Sequence, residues 1–224
     1  MKIFISIFVL LLSVNLCSQQ VNDAEKLLEE IKKKYEEIND YQVKVHIHVD
    51  IDFLKIPDKK ATVYFKRPNK FRMKTKGFAM LPKKGVNFVP TDFIKGEYTT
   101  ISVSNNEIIA VVKIIPHDTE SDLILSTLWI DIQKKRIIAV DANTKKAGSY
   151  KVDLSYTDNP FDFPSVVNVS FDIKEFELPI SFTGEFIKKE IKKAKDGETK
   201  GRVTLSYSDY KINEGIDDKI FNKK

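Results

Sequence analysis

The chain has 224 residues, 42% of them hydrophobic and 31% charged, with 37 basic and 32 acidic side chains and a formal net charge of +5. A chain of this length can bury a core without disulfides or structural metals, and its nearly balanced charge argues against nucleic acid as a partner. The single cysteine, Cys17, excludes an internal disulfide and any site built from several thiolates.

The first residues have the order of a secretory signal peptide. Lys2 supplies a positive charge, residues 3–12 are apolar except for Ser6, and small and polar residues follow as far as Ser18. The apolar stretch, about ten residues, is too short to span a bilayer. We therefore expect residues 1–18 to be removed on export to the periplasm, leaving residues 19–224 as a single domain. Lipid attachment at Cys17, which would give an anchored outer-membrane lipoprotein, is the alternative.

Residues 22–40 are predicted to form one amphipathic helix. Asn22 and Glu25 have the spacing of a reciprocal N-terminal cap. The apolar residues recur at intervals of three and four and form one stripe. They are Ala24, Leu27, Leu28, Ile31, Tyr35 and Ile38. This stripe needs an apolar surface to cover.

The next segment alternates between apolar and polar residues, which is typical of a long strand with one dry and one wet face. Its apolar residues are Tyr41, Val43, Val45, Ile47, Val49, Ile51 and Phe53. A turn at Pro57 and Asp58 leads to a second alternating strand, and a turn at Pro68 and Asn69 leads to a third. The three strands are predicted to form an antiparallel meander.

Further strands are predicted across the rest of the chain. They lie at residues 107–116, 128–131, 136–142, 150–156, 167–173, 182–187 and 203–207. The first of these is so continuously apolar that we expect it to be covered on both faces. Two stretches interrupt the pattern: residues 78–96, a long loop or cover, and residues 188–200, a lysine-rich hairpin tip.

Nearly every predicted strand has one apolar face, and one helix cannot cover roughly ten such strands. The sheet must therefore fold on itself, either as a filled sandwich or as an unclosed, curved antiparallel half-barrel with the helix across its concave apolar face. Both arrangements give a mainly β fold with one helix. The residues alone leave open whether the interior is filled or holds a ligand.

Three segments resemble one known family. The turn over residues 63–72 reads Val-Tyr-Phe-Lys-Arg-Pro-Asn-Lys-Phe-Arg, and the chain ends with a strand over residues 205–213 and apolar Ile216 and Phe221. Residues 127–131, Thr-Leu-Trp-Ile-Asp, precede a lysine-rich turn. In this order the segments resemble the periplasmic carriers of outer-membrane lipoproteins, the LolA family, and its lipoprotein-sorting relatives.

The resemblance implies an unclosed β half-barrel whose helical lid covers an apolar interior. That interior would take the acyl chains of a lipoprotein, or another lipid, between an inner-membrane release complex and an outer-membrane acceptor. Arg67 matches the arginine that holds the lid closed in the family; the alternative is an ordinary turn residue. The implied ligand-binding residues are Val45, Ile47, Val49, Val63, Phe65, Phe71, Met73, Val169, Phe171 and Leu205.

The sequence also departs from this family. Its usual lid helices are not recognisable between the middle strands, where residues 78–96 or 118–126 would have to replace them. We expect a monomer that works without a cofactor. A regulatory or protein-interaction module on the same scaffold, without lipid transport, is the alternative.

Catalytic and metal sites are not predicted. The polar face of one strand carries His46, His48, Asp50 and Asp52. These residues could form a zinc site, but a solvent-exposed strand face is the simpler interpretation. The sequence has no serine-centred elbow, paired-carboxylate motif or phosphate-binding glycine loop. We therefore expect no enzymatic activity; a hydrolase assembled from distant residues is the opposing hypothesis.

Overall fold

The computed structural model describes residues 23–51, 54–75, 89–146, 148–157, 161–172 and 200–222. Helix α1 spans residues 23–36. The strands are β1 (Asp40–Ile51), β2 (Leu54–Lys55), β3 (Lys59–Lys66), β4 (Lys70–Thr75), β5 (Tyr98–Asn105), β6 (Ile109–Pro116), β7 (Leu123–Asp131), β8 (Arg136–Thr144), β9 (Ser149–Tyr156), β10 (Pro164–Asp172) and β11 (Lys200–Ile212). Two 3-10 helices lie at Pro90–Ile94 and Asp218–Ile220.

Several predicted features lie outside these ranges. They are the signal peptide, Cys17, the cap residue Asn22, Asp52 and Phe53, the first part of the 78–96 loop, the strand over residues 182–187 and the lysine-rich segment up to residue 199.

The described strands form one antiparallel sheet in the order β4-β3-β1-β11-β10-β9-β8-β7-β6-β5, with β2 paired to the end of β1. Because all neighbours belong to one sheet, the sandwich alternative is wrong and the open, curved half-barrel is confirmed. The N-terminal and C-terminal strands are neighbours within the sheet, where β1 pairs with β11 from Tyr41 to Ile51. Strands far apart in the sequence therefore hold the two halves of the sheet together.

Helix α1 packs against the sheet through the predicted stripe. Leu28 and Ile31 are fully buried. Thr100 of β5 donates a hydrogen bond to Glu25, and Lys34 donates to Asp162, which lies just before β10. The helix therefore extends from the β5 edge toward the connection between β9 and β10.

Helix α1 ends earlier than the predicted residue 40. Its last helical residue is Glu36, and β1 already begins at Asp40. The Asn213 side chain accepts a hydrogen bond from the backbone N–H of Asn39 at 2.7 Å and donates to the carbonyl of Glu37 at 3.0 Å. A distant residue thus satisfies backbone groups that a longer helix would have paired internally.

The predicted meander is confirmed in β1, β3 and β4. Val63 of β3 lies opposite Val43 of β1 and Met73 of β4, so the apolar residues of all three strands share a face. Strand β1 ends at Ile51, because the chain turns back and Leu54 pairs with that residue.

Strand β5 was not predicted, because its hydrophobic pattern is inverted. Thr100 is buried, whereas Ile101 and Val103 are 45% and 53% exposed. Ile101 and Val103 therefore face solvent, whereas Thr100 faces the sheet interior.

Two predictions for the middle of the chain are wrong. Strand β6 is not covered on both faces: Val112 and Ile114 are fully buried, but Ile115 is 39% exposed. Residues 118–126 do not form a cover, because Leu123–Asp131 is a strand that pairs with β6 and β8. In the 78–96 loop, Phe93 and Ile94 of the first 3-10 helix are buried and join the core.

Candidate functional site

The inner face of the sheet is mainly apolar. Leu205 of β11 lies opposite Ile47 of β1 on one side and Val167 of β10 on the other. Directly paired residues point to the same face, so this row runs through the three adjacent strands β1, β11 and β10. Neighbouring rows repeat it, so the inner face is apolar on these strands, whereas Thr100 of β5 and Ser126 of β7 are buried polar residues.

The two halves of this face differ in exposure. On β6, β7 and β8, inner residues such as Val112, Leu128 and Val140 are fully buried. On the other half, large apolar residues of β3, β4, β10 and β11 stay half-buried while packing against the core. They are Phe65, Phe71, Met73, Val169, Val203 and Tyr207. Among the described residues, this half therefore presents apolar side chains that are only partly buried.

Two clefts border helix α1. One, of about 310 Å³, lies between its N-terminal half and β5 and β6, with Ala24 and Leu27 facing Ala110 and Val112. The second, also about 310 Å³, is lined by Tyr35 of the helix, by Arg67 and by Ile94. The helix thus covers the interior without filling the space along its sides.

Four aromatic rings form a cluster around Phe163. The Phe163 ring centroid lies 5.6 Å from that of Tyr35, 5.2 Å from that of Tyr41 and 5.1 Å from that of Tyr210. The hydroxyl of Tyr35 donates to the Asp162 carbonyl, and that of Tyr210 to the Pro164 carbonyl. Burial raises the pKa of both hydroxyls, so both remain protonated donors.

Arg67 ties the sheet to the end of helix α1. Its guanidinium donates to the carbonyl of Ile38 at 2.6 Å and to that of Tyr35 at 2.7 Å, while its backbone N–H donates to Asn39. A helix C-terminus leaves carbonyls without intrahelical partners, and a planar guanidinium can serve two of them at once. Arg67 therefore links the turn after β3 to the end of helix α1, and its role in holding a lid closed stays a prediction.

The neighbouring Lys66 ties the same turn to the C-terminal segment. Its ammonium donates to the Ile216 carbonyl and, together with Lys70, pairs with the carboxylate of Asp218 at 2.8 Å. These hydrogen bonds lower the pKa of Asp218 to about 2. Ile216 is buried beneath this contact. The turn between β3 and β4 thus contacts both the end of helix α1 and the segment that follows β11.

Solved structures share this architecture. A DUF1329 family protein from Desulfovibrio piger superposes with a TM-score of 0.56 at 12% identity, covering 90% of this chain and 97% of that one. A putative outer membrane lipoprotein-sorting protein domain from Vibrio parahaemolyticus superposes with a TM-score of 0.51 at 14% identity, covering 88% of this chain and 95% of that one. A LolA superfamily protein from Nitrosomonas europaea superposes with a TM-score of 0.53 at 14% identity, covering 87% of this chain and 97% of that one.

The chain has a LolA-like fold. No protein-family model matches its sequence, and no curated protein is significantly similar to it. At these identities the likeness concerns the fold alone. No described helix is both long and apolar enough to cross a membrane.

The LolA-like sheet places the ten predicted ligand-binding residues on one face. Val45, Ile47, Val49, Val63, Phe171 and Leu205 are buried, and Phe65, Phe71, Met73 and Val169 are half-buried. The predicted site did not include Val203, although its spacing of two residues from Leu205 indicates that both side chains lie on the same face of the strand. It also missed Phe163, which lies just before a strand and has no periodic pattern around it. Their role in binding a ligand stays a prediction.

The two histidines on the outer face of β1 meet one carboxylate. His46 Nε2 lies 2.9 Å from Asp58 Oδ2, and His48 Nδ1 lies 2.7 Å from Asp58 Oδ1. No cluster suited to hold a metal ion occurs within the described ranges. The contact instead links the segment before β3 to β1.

This contact predicts a pH-dependent stability. The hydrogen bond to Asp58 raises the pKa of His48 above its ordinary 6.5, and the same bond lowers the pKa of Asp58 below its ordinary 3.8. The stabilisation that the protonated histidine contributes is complete below pH 6.5 and is lost as the pH rises through the raised pKa of His48. The stabilisation that the ionised aspartate contributes is lost at strongly acidic pH. Asp58→Asn should lower the melting temperature more at about pH 5.5 than at about pH 8.5. An equal decrease at both values would contradict this account.

Proposed function

We propose that this chain is an exported, non-enzymatic carrier that binds the acyl chains of a lipid or lipoprotein on the inner face of its sheet. The observation that carries the proposal is the row of half-buried apolar side chains on β3, β4, β10 and β11. Burying such surface against an acyl chain is favourable by about 25 cal/mol per Å². The LolA-like fold supports the same proposal.

The covering helix gives the carrier a means of loading and release. Helix α1 is bordered by two clefts, and the hydrogen bonds from Arg67 fasten its C-terminal end. Breaking those bonds would let the helix move without unfolding the sheet. In the proposed cycle, the chain takes its cargo from an inner-membrane release complex and passes it to an outer-membrane acceptor.

Location and processing belong to the same proposal. Residues 1–18 would direct the chain to the periplasm and be removed there, leaving residues 19–224 as a monomeric carrier. Anchoring in the outer membrane through a lipidated Cys17 remains the alternative. Mass spectrometry of the chain isolated from the periplasm distinguishes a new N-terminus after residue 18 from a lipid-modified Cys17.

Native mass spectrometry of the chain purified from the periplasm tests cargo binding. Adducts with the mass of a lipid or lipoprotein are expected on the parent protein. Val203→Glu should remove them, because it places a charge on the apolar inner face. Arg202→Glu changes the adjacent residue, which is exposed, and should keep them.

A second inner-face variant separates binding from folding. Val203→Phe adds no charge but fills space in front of the half-buried residues, so it should weaken the adducts while preserving the β-sheet circular dichroism spectrum. If both Val203 variants carried as much lipid as the parent chain, the inner face would not be the binding surface.

A protein-interaction module on the same scaffold is the second candidate. Five large apolar side chains on or beside β5, β6 and β7 are exposed, and such surfaces often mark contacts with another protein. They are Ile101, Val103, Ile108, Ile115 and Ile124. Recovery of a protein partner with no lipid in any preparation would favour this candidate.

A further inference from the structure

The outer face of the sheet carries a cleft opposite the apolar interior. It has a volume of about 710 Å³ and lies over β1, β3 and β4, with one residue from β11. It is lined by Lys44, Val45, His46, Lys60, Ala61, Thr62, Tyr64, Lys74, Thr75 and Ser208. Its lining includes three lysines and three small hydroxyl side chains, and none of these lining residues is acidic.

The strand register arranges these groups in a row. Lys44 on β1 lies opposite Ser208 on β11 and opposite Thr62 on β3, and Thr62 lies opposite Lys74 on β4. Directly paired residues in antiparallel strands have Cα atoms about 4.5–5.5 Å apart. Hydroxyl and ammonium groups therefore alternate across four adjacent strands, with Lys60 in the next row.

A bulge in β11 places an acidic side chain at the border of this cleft. The register between β1 and β11 shifts between Gln42 and Lys44, and Asp209 has a left-handed backbone with φ of 55°. Its carboxylate lies 2.7 Å from the Lys44 ammonium, and both side chains are more than half exposed. The hydrogen bond from Lys44 to Asp209 raises the pKa of that lysine. Asp209 thus provides an internal anion for one of the three lysines.

The other basic side chains of the cleft differ in their surroundings. The Lys74 ammonium lies 5.2 Å from the centroid of the Tyr64 ring, a cation–π contact that keeps the charge within the cleft. His46 faces Lys60 across the strands and shares Asp58 with His48. Lys44 and Lys74 therefore lie in the same row as the hydroxyls of Thr62 and Ser208.

We propose that this cleft binds a phosphate group, with the ammonium groups of Lys44, Lys60 and Lys74 supplying charge and the hydroxyls of Thr62 and Ser208 donating hydrogen bonds. Phosphate has several acceptor oxygens and gains from converging charged and neutral donors, whereas a lone carboxylate would use fewer of them. Lys44 exchanges its Asp209 partner for the phosphate. Both a phospholipid headgroup and a soluble phosphate compound carry this group.

Two binding assays separate these sources. Glycerol phosphate is titrated by calorimetry, and sedimentation is measured with vesicles of phosphatidylglycerol or of zwitterionic phosphatidylcholine. Binding to phosphatidylglycerol alone assigns the phosphate to a lipid headgroup, and binding to glycerol phosphate assigns it to a soluble compound. Either result supports the site, provided that it depends on the cleft residues.

Variants test that dependence. The double variant Lys44→Gln and Lys74→Gln should weaken binding by at least about tenfold, equivalent to the loss of one charge-assisted hydrogen bond. The matched control, Lys146→Gln with Lys151→Gln, removes the same charge from exposed positions outside the cleft and should change binding less than about twofold.

Two more variants make the prediction specific. Thr62→Val with Ser208→Ala removes the hydroxyls without a change in charge and should also weaken binding. Asp209→Asn frees Lys44 and should strengthen binding several-fold, an effect that a general loss of stability would not produce. Equal losses in the lysine double variant and its control, or weaker binding by Asp209→Asn in a folded protein, would overturn the proposal. Absence of binding in both assays would also overturn it.

Discussion

Replacing Ile31 by alanine is expected to lower the free energy of unfolding by about 2–5 kcal/mol. Ile31 lies at the centre of the helix α1 stripe and is fully buried between the helix and the sheet. Truncation removes apolar area from the contact and leaves a cavity, which the rigid sheet beneath it cannot close. Urea unfolding followed by circular dichroism measures the change.

Lys33→Ala is the matched control for this prediction. Lys33 lies on the exposed side of the same helix, and such substitutions usually change stability by less than about 0.5 kcal/mol. If both variants unfolded at the same urea concentration as the parent, helix α1 would not be packed on the sheet as described.

Arg67→Ala is expected to loosen helix α1 and to lower the free energy of unfolding by about 1–3 kcal/mol. The variant removes hydrogen bonds of 2.6 Å and 2.7 Å to the carbonyls of Ile38 and Tyr35. Bonds from a charged donor contribute about 1.5–3 kcal/mol each when shielded, and solvent near this exposed residue reduces that value. Hydrogen exchange should become faster in the amides of residues 23–36 and stay nearly unchanged in β9 and β10.

Two further arginine variants sharpen this test. Arg67→Lys should recover only part of the protection, because one ammonium cannot match the planar geometry that serves both carbonyls. Arg72→Ala removes an arginine of the same turn region that donates to Asn222 rather than to the helix. Faster helix exchange in Arg72→Ala than in Arg67→Ala would show that Arg67 does not fasten the helix.

The strongly periodic parts of the fold were predictable from the sequence. The alternation that begins at Tyr41 correctly predicted β1 and the face it buries, and the stripe of helix α1 correctly predicted its covering side. Both patterns arise because each element has one dry and one wet face. The resemblance at the Lys66-Arg67-Pro68 turn added the arrangement of helix and sheet that periodicity alone left open.

The parts that failed depend on contacts between distant residues. Strand β5 places Ile101 and Val103 outward, so its hydrophobic pattern does not reveal the buried face. The helix ends where Asn213, far along the chain, caps its last turn. The outer-face cleft combines residues of β1, β3, β4 and β11, and spacing in one strand cannot show what a partner strand brings next to it.

The role of the inner face can be tested by photocrosslinking with a lipid whose acyl chain carries a diazirine. Peptide mapping should place the crosslinks on the half-buried inner residues of β3, β4, β10 and β11, among them Phe65, Met73 and Val203. Crosslinks confined to the exposed apolar residues Ile101 and Val103, with none on the inner face of the folded protein, would contradict the carrier account.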